Sequence, residues 1–163
     1  MSVSAQRAIP FVLVVLGLAG SAIGSYLTIA HWGDQPIACG GVGDCGYVNS
    51  SEYASVGGVP VSALGAALYL AMTAVALAWA RRACVDWLPI AYWGLALAGA
   101  GYAGYLTYVE LAVLHAICIW CVTSAVLLAV SLALSTAAVL REPGLTEATL
   151  DAEAYRGRQG TGP

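Results

Sequence analysis

Charged side chains are scarce in this sequence of 163 residues. Lys and Arg together number six and Asp and Glu nine, so that 9% of the chain is charged while 60% is hydrophobic. A soluble domain carries about a quarter charged residues, and so few charges cannot solvate a globular surface. The sequence also lacks internal repeats and any nucleotide, phosphate or nucleic-acid motif. These absences exclude an ordinary soluble domain and favour a membrane protein.

Four apolar stretches are long enough to cross a bilayer as helices, which takes about 20 residues. We expect an all-α, integral-membrane four-helix bundle over residues 1–140, with one long connection, residues 31–60, between the first two helices. In the third stretch Ala96, Ala100 and Gly104 place a small residue at every fourth position, which predicts close packing against a neighbouring helix. The predicted spans cover residues 9–30, 61–80, 87–108 and 116–140.

The six basic residues predict one orientation in the membrane. They fall before the first span, between the second and third, and after the fourth, at Arg7, Arg81, Arg82, Arg141, Arg156 and Arg158. By the positive-inside rule both termini are cytoplasmic, and the 31–60 loop and the start of the fourth span are extracytoplasmic. Residues 141–163 are too short and polar to fold alone, which predicts a disordered cytoplasmic tail. The first span exceeds the roughly 7–15 apolar residues of a signal-peptide core, so we expect it to be retained.

Two cysteine pairs fall on the predicted extracytoplasmic side, where disulfides form and persist. The loop pair, Cys39 and Cys45, encloses five residues, of which three are glycines that permit tight closure and leave the loop mobile. The inner pair, Cys118 and Cys121, is spaced to share one face of a helix, with Cα atoms about 5 Å apart, which a disulfide tolerates. Thiol–disulfide exchange requires direct attack of one sulfur on another. Two dithiols at one membrane surface therefore suggest an electron relay from an outside protein to a lipid-soluble carrier.

The two sulfurs of the inner pair are expected to differ. Free amides and the macrodipole at a helix N-terminus favour thiolate, so Cys118 is the predicted exchanging sulfur. Cys121 lies deeper, beside Ala125 and Leu128, where a hydrophobic quinone ring could dock. Cys84, in the predicted cytoplasmic turn, is expected to be a bystander.

Two non-catalytic interpretations of the cysteines remain open. They can be structural staples in a tetraspan protein, or four thiolates can hold a zinc ion. Both are disfavoured, because a disulfide within one helical turn stabilises little by loop closure and because the compartment is oxidising. We therefore predict no metal. His31, His115 and Glu110 could relay protons, but residues of these types near span ends are more often simply interfacial, and we assign them no role.

Together these features resemble the vitamin K epoxide reductase family, in particular its short prokaryotic homologues. The resemblance covers residues 10–140 and implies a prokaryotic cytoplasmic (inner) membrane location without a fused thioredoxin domain. The resemblance rests on the four spans, on Cys39 and Cys45, and on Ser51, which lies six residues beyond Cys45. It also rests on Gly58-Val59-Pro60-Val61 before span two and on Cys118-Ile119-Trp120-Cys121.

The resemblance implies an enzyme that oxidises a DsbA-like, thioredoxin-fold protein acting in trans and reduces a membrane quinone, either ubiquinone or menaquinone. The partner would reduce the Cys39–Cys45 pair. Cys45 would then attack the inner pair through a transient Cys45–Cys118 disulfide, and Cys121 would reduce the quinone.

Two further positions bear on the expected quinone site. Ser51 corresponds to the family's loop hydroxyl near the quinone, although it can equally cap a helix that begins near Glu52. Ala125 stands where the animal enzymes carry a tyrosine, which argues against vitamin K epoxide as the substrate. A vitamin K epoxide or quinone reductase proper is the alternative enzymatic activity.

Overall fold

The computed structural model describes residues 3–33, 35–39, 41, 43–81 and 87–140, with side chains from residue 8 onward. Arg82, Cys84 and the predicted tail 141–163 lie outside this part of the chain. The described elements are, in order, α1 (Val3–Trp32), α2 (Cys45–Ser50), a 3₁₀ turn (Glu52–Ala54), β1 (Ser55–Val56), β2 (Val59–Pro60), α3 (Val61–Ala80), α4 (Leu88–Val109), a π-helical turn (Glu110–Leu114) and α5 (Ile119–Val139).

Three helices are long and apolar enough to cross a membrane, namely α1 over Ala8–Trp32, α3 over Val61–Ala80 and α5 over Ile119–Val139. A helix satisfies its backbone hydrogen bonds internally, which a lipid interior requires. The fourth long helix, α4, has 22 residues but is less apolar because tyrosines and glycines interrupt it. The all-α membrane architecture is thus present, apart from the short hairpin, while the crossing by α4 stays a prediction.

The last long helix begins later than the sequence predicts. Residues 115–118 are not helical, so α5 starts at Ile119 rather than at residue 116. His115 adopts a left-handed backbone conformation with φ 52°, and Cys118 is extended, with φ −102° and ψ 112°. This break makes Cys118 the N-cap of α5 rather than a residue inside its first turn.

The bundle is built from two helix pairs. α1 packs mainly against α3 and α4 mainly against α5, with further contacts of α3 with α4 and of α1 with α5. The backbones of α1 and α3 approach closely where a Cβ on Gly24 would meet the backbone of Ala66. In α4, Ala96 is fully buried, but a Cβ on Gly104 would meet nothing within 4 Å. The predicted ridge of small residues on α4 is therefore used for packing only in part.

Large apolar side chains occupy both the inside and the outside of the bundle. The buried core includes Leu13, Met72 and Tyr92, whereas Phe11 and Ile29 on α1 are 62% and 67% exposed. An apolar exterior is costly in water but not in lipid, whose tails are as apolar as leucine. The exposed faces thus fit a membrane environment.

A β-hairpin with two residues in each strand connects the loop to α3. Ser55 pairs with Pro60 and Val56 with Val59 in antiparallel register. The turn residues Gly57 and Gly58 have φ values of 60° and 82°. Tight hairpin turns with positive φ at both central positions favour glycine, so this turn follows directly from the Gly-Gly sequence.

Candidate redox site

The loop pair forms a disulfide at the start of α2. Cys39 and Cys45 are bonded, with Cα atoms 6.1 Å apart. Cys45 is the first residue of α2 and is buried, while Cys39 is half-buried. The Asp44 carboxylate accepts a hydrogen bond of 3.0 Å from the Tyr47 N–H, and this N-cap stabilises the short helix that begins at Cys45.

The inner pair lies at the N-terminus of α5 as two free thiols. The sulfurs of Cys118 and Cys121 are 2.7 Å apart, with the Cys121 thiol donating to Cys118. The Cys121 N–H also donates to Cys118 Sγ, at 3.3 Å, so this sulfur takes the place of a capping oxygen. The hydrogen bond from the Cys121 thiol lowers the pKa of Cys118, against the opposing effect of burial. The predicted thiolate preference of Cys118 thus arises mainly from its partner cysteine.

The fold brings the two pairs into one cluster. Cys45 and Cys118 share a buried core with Val48, and Cys39 and Cys121 pack against it. The residues that precede the two buried cysteines are joined directly, because the Asp44 N–H donates to the Ile117 carbonyl at 3.0 Å. All four predicted site cysteines therefore meet, although more than 70 residues of chain separate the pairs.

Glycine is required at position 43, where the loop contacts the non-helical segment before α5. Gly43 has φ 80°, and a Cβ at this position would collide with the Ile117 carbonyl oxygen. Any side chain would thus push Asp44 away from its backbone partner. Gly43 fits this contact for two reasons, its left-handed backbone and the absent side chain.

The other side of the loop pair is also anchored. The Ala38 N–H donates to the Tyr26 hydroxyl of α1 at 3.0 Å, and the Trp120 indole of α5 donates to the Ala38 carbonyl at 2.9 Å. The two rings pack with centroids 5.5 Å apart. The loop was expected to be mobile, but hydrogen bonds to α1 and α5 hold the residue before Cys39.

A buried carboxyl group lies beside the inner pair. Glu110 is 4% exposed and accepts a hydrogen bond of 3.1 Å from the Cys118 N–H. Burial raises the pKa of Glu110, and the hydrogen bond from the Cys118 N–H opposes this only in part. The sequence alone assigns this residue no role. The available signal was its position, since it is the sole acidic residue in the link before Cys118.

A cavity of about 380 Å³ adjoins the inner pair. Its wall is mostly apolar with a few polar groups, the usual character of a small-molecule site. Cys121 and Glu110 line it, and so do all three predicted quinone contacts, Ser51, Ala125 and Leu128. The polar lining residues that sequence analysis missed include Asn49, Tyr53, Tyr69 and Ser124. Of these, the Tyr69 hydroxyl donates to the Ser124 carbonyl at 2.7 Å.

The Ser51 side chain does not cap the turn that follows it. It precedes the 3₁₀ turn Glu52–Ala54, but its side chain makes no capping hydrogen bond there. The hydroxyl instead donates to the Val48 carbonyl at 2.8 Å. The capping interpretation is therefore wrong, and the oxygen keeps a lone pair for another partner at the cavity wall.

The two histidines do not line the cavity. His31 Nδ1 donates to the Asn49 carbonyl at 2.8 Å and so ties the end of α1 to α2. His115 is exposed. Within the described ranges, no group of three or more His, Cys, Asp or Glu side chains is arranged to hold a metal ion.

A comparison with known protein families bears on this site. The sequence model of the vitamin K epoxide reductase family matches residues 11–136. The matched range contains both cysteine pairs, Glu110 and every residue that lines the cavity.

Proposed function

Because the chain belongs to the vitamin K epoxide reductase family of membrane oxidoreductases, we propose that it is a quinone-dependent thiol–disulfide oxidoreductase. It oxidises a DsbA-like, thioredoxin-fold protein that acts in trans, and it passes the electrons through the loop pair and the inner pair to a membrane quinone. Its activity supports disulfide bond formation.

The observation that carries this proposal is the contact between the two pairs beside an apolar cavity. A bonded loop pair, Cys39–Cys45, packs on two free thiols, Cys118 and Cys121. This combination is the state expected after electrons have moved inward and before a quinone accepts them. Cys121 lines the cavity, where an apolar ring would be adjacent to the reducing sulfur.

The reaction begins with oxidation of the partner protein. Two thiols of the partner reduce the Cys39–Cys45 disulfide and become a disulfide themselves. The Cys45 thiolate then attacks Cys118 of the oxidised inner pair, so that a Cys45–Cys118 bond forms and Cys121 leaves. Cys39 next attacks Cys45, which re-forms the loop disulfide and releases Cys118.

Quinone reduction completes the cycle. The inner pair gives two electrons to the quinone and becomes a disulfide again, while the quinone takes up two protons and leaves as quinol. Ser51, Ala125 and Leu128 contact the quinone in this proposal, and ubiquinone or menaquinone is the acceptor. No step requires a metal ion, because thiols and the quinone exchange all the electrons.

The proposed setting is a prokaryotic cytoplasmic membrane. Residues 1–140 form the membrane domain, with four crossings and both termini in the cytoplasm. The cysteine cluster then faces the extracytoplasmic side, where a bacterial periplasm is kept oxidising by a quinone-linked route of this kind. A thioredoxin-fold partner can reach the loop pair only from that side.

A reconstitution experiment tests the proposal. The purified protein is placed in lipid vesicles with ubiquinone or menaquinone, a reduced thioredoxin-fold protein is added, and quinone absorbance is followed. Wild type is expected to reduce at least one quinone, while Cys118→Ala and Cys121→Ala each lose the reaction. Quinone reduction by either variant at the wild-type rate would defeat the proposal. A parallel assay with vitamin K epoxide tests the alternative activity.

A further inference from the structure

Glu110 is a carboxyl group without a charged partner in an apolar site. It begins the π-helical turn Glu110–Leu114, and the His115 N–H at the end of that turn donates to its carbonyl. Within the described part of the chain, none of the interactions that affect its pKa comes from a cation. An isolated buried carboxylate is costly, so a neutral acid is the favoured form.

The carboxyl group lies beside both redox cysteines. Glu110 accepts the Cys118 N–H at 3.1 Å, and the Cys121 side chain is near enough to influence the pKa of Glu110. Glu110 and Cys121 also line the same cavity. One carboxyl oxygen of Glu110 is thus held by the backbone at the N-terminus of α5. The Glu110 side chain also lines the cavity next to the inner pair.

The arrangement accommodates one negative charge rather than two. Two hydrogen bonds from Cys121, one from its thiol and one from its N–H, stabilise a thiolate on Cys118. Like charges that share a desolvated site repel strongly, so a Cys118 thiolate favours the protonated form of Glu110. The reduced site then contains one thiolate, one thiol and one carboxylic acid.

We propose that Glu110 is a catalytic acid that donates a proton to the quinone as the inner pair reduces it. This role rests on the proposed quinone reduction. The Cys118 thiolate, the Cys121 thiol, the Glu110 acid and the quinone become a Cys118–Cys121 disulfide, a Glu110 carboxylate and a quinol. Two electrons come from the sulfurs, one proton comes from Cys121 and one comes from Glu110.

The proton returns to Glu110 in the next cycle. When the reduced loop pair, with two thiols, transfers its electrons to the inner disulfide, two protons are released. One protonates Cys121 and the other protonates the Glu110 carboxylate, while Cys118 becomes a thiolate again. Glu110 thus holds the second proton between the two half-reactions.

Single-turnover kinetics separate the two half-reactions. The first is oxidation of a thioredoxin-fold protein by the fully oxidised enzyme, and the second is quinone reduction by the reduced enzyme. In Glu110→Gln, an amide oxygen of the same reach still accepts the Cys118 N–H, but no acidic proton remains. Quinone reduction is expected to slow by about 100- to 10,000-fold, while oxidation of the partner protein keeps its rate within a few-fold. Glu52→Gln, an exposed loop position, is the matched control and leaves both rates unchanged.

Chemical rescue provides the second measurement. Glu110→Ala opens space beside the inner pair, and added acetic or formic acid is expected to restore quinone reduction in a concentration-dependent manner. A merely structural role would show no rescue. The inference is overturned if Glu110→Gln reduces quinone at the wild-type rate, if it loses both half-reactions alike, or if no weak acid rescues Glu110→Ala. Wild-type enzyme that reduces no quinone would instead refute the proposed function.

Discussion

At the level of single residues, the inner pair shows how one side chain sets the chemistry of another. Cys118 caps α5 with its sulfur, and the Cys121 thiol donates to that sulfur at 2.7 Å. A helix terminus alone would favour a thiolate on Cys118, but here the neighbouring thiol contributes most. The pair is asymmetric because one member accepts the hydrogen bond that the other donates.

This asymmetry predicts the pH dependence of thiolate formation. A lowered pKa at Cys118 means that its thiolate is already populated below the ordinary thiol range, about pH 8.5, and persists as the pH rises. In a Cys84→Ala background with the loop disulfide intact, ultraviolet thiolate absorbance should therefore rise below that range. In Cys121→Ala the midpoint should move to higher pH, because the donor is lost. A midpoint at or above pH 8.5 in the parent protein would contradict this prediction.

At the level of secondary structure, the loop depends on what its glycines contact. Gly41 and Gly43 have similar left-handed conformations, with φ of 77° and 80°. Only at Gly43 would an added Cβ collide with another part of the chain, the Ile117 carbonyl; at Gly41 it would meet nothing within 4 Å. The two positions thus separate backbone strain from loss of the contact between the loop and the segment that precedes α5.

Alanine substitutions at these glycines should have different effects on electron transfer. Both carry the cost of a left-handed alanine, about 1–2 kcal/mol. Gly43→Ala should also displace Cys45 from Cys118 and slow exchange between the pairs by about 100-fold, since a shift on the order of 1 Å costs that much. Gly41→Ala is the control and should exchange normally. The measurement is stopped-flow quinone reduction driven by the thioredoxin-fold protein, and equal rates in the two variants would refute the role given to Gly43.

The secondary structure elements differ in how well they could be predicted from sequence. Apolar length was sufficient for α1, α3 and α5, whereas the hairpin at Gly57-Gly58 was not predicted. The small-residue ridge of α4 was less informative, because spacing does not reveal which face meets a neighbour: Gly104 faces open space, while Gly24 of α1 lies against Ala66. The late start of α5 was also missed, since the left-handed His115 follows a π-helical turn that has no clear sequence pattern.

The residues of the candidate site could be predicted from sequence where the residue type itself indicates the chemistry. Four cysteines at distinctive spacings could be identified directly, whereas Asn49 and Tyr69 became cavity residues only through packing. Glu110 is the clearest case. Its acidity and its position were visible, but its burial depends on contacts that the fold creates, and burial is what distinguishes a proton donor from an interfacial carboxylate.

At the level of the whole molecule, the predicted orientation in the membrane decides from which side the proposed partner would supply electrons. Ser55 in the hairpin and Arg81 at the far end of α3 are both exposed and are separated by the full length of that helix. Twenty residues of helix extend about 30 Å, the thickness of a bilayer core. The two residues therefore report on opposite faces of the membrane.

Labelling of intact cells tests the predicted orientation. In a background with all five cysteines replaced by alanine, Ser55→Cys should react with an impermeant maleimide, while Arg81→Cys should react only after permeabilisation. The reason is the positive-inside rule, which places Arg81 in the cytoplasm. The reverse pattern would place the cysteine cluster in the cytoplasm and contradict the proposed topology.

The depth of the cysteine cluster has a consequence for selectivity toward reductants. Cys45 and Cys118 are 1% and 0% exposed, whereas Cys39 is half-buried. A small thiol dissolved in the surrounding water can collide with Cys39 but not with the buried sulfurs of Cys45 and Cys118. In the proposed relay, burial of Cys45 and Cys118 is therefore expected to protect the exchange between the two pairs from small thiols in solution.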